Sequence, residues 1–219
     1  GNPAHRQTGT GDLPMVALEI VQLKTSDMEN FSYLVYCPQT REGAIVDPSM
    51  RPQLVLEEAA SRKVKVRLLL NTHGHQDHIK GNGDILNTGA IQLAAHPDAV
   101  PGADIPLAEG MKLPIGNSSV TVMYTPGHSP GSVVFATADA IISGDTLFVS
   151  RCGRADLPGS DVGQLYTSLQ RLKKLEPTTR VYPGHDYGPM PNSTIAWELE
   201  HNEFIKCPDL ESFIALRMG

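Results

Sequence analysis

Apolar and polar positions divide the chain into short runs separated by turn residues. Val16–Leu23 (VALEIVQL), Phe31–Cys37 (FSYLVYC) and Gly43–Asp47 (GAIVD) each read as a strand, and Pro48 closes the third. Their links are short, so neighbours are expected to pair antiparallel. Pro52 opens a helical pattern, PQLVLEEAASRK, with the proline in the first turn where its missing N–H costs little. Strand Val64–Leu70 (VKVRLLL) follows, and this β–α–β order predicts a crossover with one parallel pair. Residues 79–90 are broken by glycine and leave room for a short helix. Ile91–Ala95, Met111–Leu113, Val120–Tyr124, Val133–Ala136, Ala140–Ile142 and Arg180–Tyr182 read as further strands. Helices are expected over Val162–Leu175, capped by Ser160 or Asp161, and over Ser193–Phe204 and Asp209–Met218. The strands fall into two groups, each finished by helices. The prediction is one mixed α/β (α+β) domain over residues 15–219, with two sheets face to face and helices outside.

Composition narrows the setting. A length of 219 residues supports a core without disulfide staples, and 40% hydrophobic with 19% charged residues is ordinary for a globular protein. The net charge of −6 argues against a nucleic acid or an anionic membrane as partner. RKVKVR (Arg62–Arg67) alternates charge with valine and reads as the exposed face of a strand. No apolar run approaches a membrane span. Residues 1–14 are polar and rich in Gly and Pro, and read as a flexible arm without a signal-peptide core. The three cysteines, Cys37, Cys152 and Cys207, are odd in number and widely spaced, which fits a reducing, cytoplasmic setting.

The chemistry gathers where strands end. Of eight histidines, three fall in NTHGHQDH, directly after Val64–Leu70, giving His73, His75, Asp77 and His78. His128 follows VTVMY in TPGHSPG, Asp145 follows AII in SGDTLF, and His185 follows RVY in YPGHDYG. Imidazole and carboxylate are natural ligands of zinc, iron or manganese. Five histidines and two aspartates exceed the needs of one tetrahedral ion and suit two divalent ions bridged by a carboxylate and a water. In an extended stretch alternate side chains share a face, so His73, His75 and Asp77 are expected to face one cavity, with a local bend turning His78 toward it. His5, His96 and His201 read as surface or packing residues, as does Cys152.

The order HxHxDH, PGHSPG, SGDTLF, PGHDYG resembles the metallo-β-lactamase superfamily, from about Val16 onward. The resemblance implies a four-layer αββα sandwich with the metals at one edge. It implies that His73, His75 and His128 hold one metal, that Asp77, His78 and His185 hold a second, and that Asp145 bridges them. Within that superfamily the chain resembles two groups that handle glutathione derivatives. SGDTLF and TPGHSPGS are similar to glyoxalase II, which hydrolyses hydroxyacylglutathione thioesters; Asp77 would then both ligate and orient the nucleophile. CGRADLPG and PGHDYG are more similar to persulfide dioxygenases, whose single Fe(II) would sit on His73, His128 and Asp145. The 34 residues after His185 leave out the long helical region with which glyoxalase II grips glutathione, so that region is expected to be absent or vestigial. A non-catalytic scaffold, a β-lactamase and a nuclease rank below both readings.

Supporting residues follow. Arg154 suits an anionic tail such as the glycine end of glutathione, or else pairs with Asp156 or Asp161. Tyr187 lines the pocket mouth or packs. Asp186 orients His185 or is a turn residue. Thr72 and Thr146 are expected to hydrogen-bond within the metal loops. The implied partner is a small molecule, with monomer and homodimer both open.

Overall fold

The computed structural model describes residues 16–219, so the 1–14 arm lies outside the described residues. The first sheet follows chain order: β1 (Glu19–Lys24), β2 (Phe31–Tyr36), β3 (Glu42–Val46), β4 (Lys65–Leu70), β5 (Gln92–Ala95) and β6 (Ile105–Pro106). Its helices are α1 (Pro52–Ser61), α2 (Gln76–Ile79) and α3 (Asn82–Leu86). In the second half β7 (Lys112–Ile115), β8 (Ser118–Tyr124), β9 (Val133–Ala136) and β10 (Ala140–Gly144) form an antiparallel meander. A small hairpin of β11 (Leu147–Phe148) and β12 (Arg151–Cys152) follows, then α4 (Val162–Leu172). β13 (Arg180–Pro183) and β14 (Ser193–Thr194) complete a second six-stranded sheet, and α5 (Ile195–His201) and α6 (Leu210–Met218) close the chain.

Three apolar clusters separate four layers. Tyr33 and Val35 of β2 join Val120, Val122 and Phe135 between the sheets. Leu34 and Tyr36, pointing the other way by strand alternation, pack under α1 and α3 with Val55, Ala59 and Ile85. Met123, Val134 and Ile141 meet Leu165, Leu169 and Phe213 of α4 and α6 on the far side. Burying Phe31–Tyr36 on both faces explains why that strand carries a continuous apolar run. Asp161 caps α4 by accepting from Gln164 N at 2.9 Å, and Asp209 caps α6 in the same way.

Two expectations are corrected. The first sheet holds three parallel pairs, β3–β4, β4–β5 and β5–β6, and the second adds β10–β13. The glycine-broken segment after β4 is itself a crossover that returns β5 parallel, and α4 is another. The local bend expected at His78 is present, but it is a helical turn that also takes in Asp77, so the HxHxDH stretch is extended only as far as His75. Residues 76–79 form a helical turn in which His78 N donates to His75 O at 2.9 Å.

Candidate metal centre

All seven ligand-type residues converge at one edge of the sandwich, where loops from both sheets meet. Val133 N donates to Thr72 O (2.8 Å), and Phe31 N to Gly184 O (2.9 Å), so the sheets are joined at the loops that carry the site. One ligand atom each from His73, His75 and His128 lie within 4.8 Å of one another, as do those from Asp77, His78 and His185. The helical turn brings Asp77 and His78 together, which strict alternation would have separated. Asp145 stands between the groups. Its Oδ2 lies 3.6 Å from both His73 Nε2 and His128 Nε2; its Oδ1 lies 3.2 Å from His78 Nε2 and 3.0 Å from His185 Nδ1. Glycines on either side leave it room: a Cβ on Gly184 would collide with Asp145 Oδ1, and one on Gly153 with the Asp145 carbonyl.

The chain matches the Metallo-beta-lactamase superfamily over residues 27–110 and 97–185. It is 37% identical over 203 residues to the hydroxyacylglutathione hydrolase of Rhodospirillum rubrum, covering 90% of this chain and 77% of that protein. The crystal structure of ETHE1 from Myxococcus xanthus superposes with a TM-score of 0.87 at 29% identity, covering 92% of this chain and 90% of that one. The crystal structure of TTHA1623 in a di-iron-bound form gives a TM-score of 0.74 at 30% identity, over 84% of this chain and 99% of that one. This chain belongs to the metallo-β-lactamase superfamily. The two sheets with helices outside are the fold of that superfamily. Among the described residues no helix is long and apolar enough to cross a membrane.

The donor atoms fit metal ions. His128 Nδ1 donates to Arg154 O at 2.8 Å, His78 Nδ1 to Asp47 Oδ2 at 3.0 Å, and His73 Nδ1 to Thr72 Oγ1 at 3.0 Å. The Thr72 hydroxyl itself donates to Asp47 Oδ2 at 2.6 Å. These bonds assign the Nδ1–H tautomer to all three rings and turn their Nε2 lone pairs inward. His73 Nε2 is buried without a hydrogen-bond partner, an arrangement that costs free energy until a cation satisfies it.

Protonation in the metal-free site separates the two groups. Burial, reinforced by His78, pushes His73 well below the usual histidine range; burial beside His128 lowers His75. Burial also works against charge on His78, but Asp145 and Asp47 outweigh it and raise its pKa well above the usual value. His185 is raised in the same way by Asp145 and Asp77. A metal ion must displace a proton wherever one is held, so the His78 group is expected to need a higher pH than the His73 group. Zinc titrations by calorimetry over a series of pH values are expected to show one strong site per chain at lower pH and a second that appears as pH rises. Two equal sites at the lower pH would contradict this ordering.

The remaining predicted residues divide. Arg154 pairs with Asp156 (2.6 and 3.0 Å) rather than Asp161, yet its side chain also lines the cavity over His128 and Asp145. Tyr187 is 47% exposed, lines the same cavity and stacks on His185 at 4.5 Å. Asp186 does not orient His185: its carboxylate pairs with Lys24 at 2.8 Å, and the His185 ring is held by Asp145 and Asp77 instead. The Thr146 hydroxyl bonds that of Thr125 at 3.3 Å, within the metal loops as expected, joining the Asp145 loop to the His128 loop. Cys152 is buried, which pushes its thiol up to about 12 and suits a packing role. His96 stacks on Tyr124 and His201 on Trp197, and neither belongs to the clustered ligand groups. Two residues escaped the sequence reading. Asp47 is the shared acceptor behind His73 and His78, and Asn30 Nδ2 donates to Asp77 Oδ2 at 3.0 Å.

Proposed function

We propose that this protein is a hydrolase of the glyoxalase II type, cleaving a small thioester with two divalent ions, zinc first among the candidates. The observation that carries the reading is Asp145, whose two oxygens each face two histidines of a different ligand group. Bound ions would supply Lewis acidity at the thioester carbonyl and a water ionised near neutral pH. The chain's own groups do the rest. Asp77 stays ionised: burial opposes its charge, but His185, His78 and Asn30 outweigh that and hold its pKa far below the usual range. Fixed by Asn30 and His185, it is placed to accept a hydrogen bond from the attacking water and orient it. Hydrolysis forms a C–O bond, breaks the C–S bond and gives a carboxylate and a thiol.

Three guanidinium groups, Arg151, Arg154 and Arg217, line the cavity of about 260 Å³ that opens over His128 and Asp145. They suit the carboxylates of a thiol such as glutathione. The Arg154–Asp156 pair is exposed on both sides, so it is a weak competitor for that substrate. Replacing Arg154 with Ala is expected to raise KM for an anionic thioester about tenfold with little change in kcat, because the contact serves ground and transition states alike. An unchanged KM would remove Arg154 from binding.

The deciding experiment is thiol release from zinc-loaded protein, with about two ions per chain by elemental analysis, across a panel of S-acylglutathiones. A second reading, an iron dioxygenase acting on glutathione persulfide, draws on one feature. His73 and His128 present their Nε2 atoms at equal distance, 3.6 Å, to one oxygen of Asp145, a two-histidine, one-carboxylate face. No thiol release from the loaded protein, together with oxygen uptake by its one-iron form, would select it.

A further inference from the structure

The arginine-lined cavity is not the only opening onto the centre. A second groove, of about 330 Å³, is lined by Met28, Met50, Gln76, Asp77 and Lys80 and so borders the centre at one ligand, Asp77. Met28 is 53% exposed and Met50 40%, so two large apolar side chains stand in solvent beside a ligand carboxylate. Methionine is unbranched and polarizable, and adapts to apolar chains of differing shape. Both methionines sit on loops stitched to the site. Arg51 Nη2 binds Asp27 Oδ1 at 2.7 Å and ties the β1–β2 turn to the loop after β3. Ser49 Oγ donates to Asp77 O at 2.7 Å, Ser49 N to His78 O at 3.0 Å, and Met28 N to Ser26 Oγ at 3.0 Å.

We infer that the Met28–Met50 groove is an acyl subsite, so that the preferred substrate joins an anionic thiol to an uncharged aliphatic acyl chain of several carbons. The inference rests on the hydrolase reading and gives it a direction. A thioester carbonyl held at the centre has two substituents. The guanidinium cavity selects the anionic one, so the acyl chain leaves the carbonyl on the other side, over Asp77 and between the methionines. Each cavity lies near the lower limit for small-molecule sites, which suits half a substrate apiece. Gln76 and Lys80 leave a polar rim at which a short polar acyl group gains little from the methionines.

The test is a series of acetyl, butanoyl and hexanoyl thioesters of one anionic thiol, hydrolysed by the zinc-loaded protein. We expect kcat/KM to rise about twofold for each added methylene, below the value for full burial because the groove is open on one side. In the Met28→Ser, Met50→Ser double variant the hexanoyl-to-acetyl ratio is expected to fall to near one. Turnover of every thioester with no dependence on chain length would overturn the subsite and leave the hydrolase reading standing. If no thioester is cleaved, the hydrolase reading fails, and binding decides the subsite separately. In protein carrying isotope-labelled methionine methyl groups, hexanoate should shift the Met28 and Met50 signals where acetate at equal concentration does not. Shifts confined to the other five of the seven methionines, or none at all, would overturn it.

Discussion

An Asp145→Ala protein is expected to hold about one metal ion where the unaltered protein holds about two, and to lose hydrolysis by ~10³ or more. Asp145 is 7% exposed and, among the described residues, is the only carboxylate that faces both histidine groups through separate oxygens. Without it, His78 and His185 keep Asp77 but lose the negative charge on their inner side. Asparagine offers no rescue, since its amide must present N–H groups to one set of lone pairs. A second readout checks the same charge without any metal. Burial opposes ionisation of Asp145, yet His78 and His73 outweigh it and hold its pKa well below the carboxylate range. A carboxylate depressed on folding stabilises above its unfolded pKa and loses that contribution as pH falls through its folded one. Chelator-treated Asp145→Ala protein should therefore melt well below its parent at neutral pH, with the gap closing as pH drops below about 4. Retention of two ions, or a gap independent of pH, would rule out the bridging role.

The layers were legible because apolar alternation is a local signal. Leu34 and Tyr36 face the helices, and Tyr33 and Val35 face the other sheet, as period two requires. The seven ligands were legible because five of them sit beside glycine at a strand end and Asp77 and His78 follow in the same short motif, a chemistry that a short window displays. What stayed hidden depends on distant partners. Gln76–Ile79 is too short to show a helical pattern; its turn is held by Ser49, from a loop almost thirty residues earlier. The β11–β12 hairpin has two residues in each strand, and it is pinned from α5: Glu198 accepts from Ser150 N at 2.8 Å, and Asn202 Nδ2 donates to Arg151 O at 3.1 Å. Asp186 looked like a partner of His185 only because it is adjacent in sequence; the backbone sends it toward Lys24. Asp47 did carry a signal. It ends the strand GAIVD just as Asp145 follows AII, and strand-end carboxylates were the criterion used elsewhere.

Asp47 therefore carries the second large prediction. It is 2% exposed and accepts three hydrogen bonds: from Thr72 N at 2.9 Å, from Thr72 Oγ1 at 2.6 Å and from His78 Nδ1 at 3.0 Å. Through Thr72 it also fixes His73, so one carboxylate orients a histidine in each metal group. Asp47→Ala frees both rings to rotate and strands three buried donors. Zinc affinity at both sites should fall about 10- to 100-fold, and metal-free stability by roughly 3 kcal/mol. Residue 47 has φ +49, a left-handed conformation that asparagine tolerates better than alanine. Asp47→Asn keeps an acceptor for one donor and suits the backbone, so it should recover most of the stability. It should not recover zinc affinity, because a neutral amide lacks the charge that makes His78, and His73 through Thr72, more basic. Chelator competition measures the first quantity and urea unfolding of the metal-free protein the second. Equal recovery of both by asparagine would reduce Asp47 to a backbone role. Recovery of stability alone would identify it as the group that aims His73 and His78 at the ions.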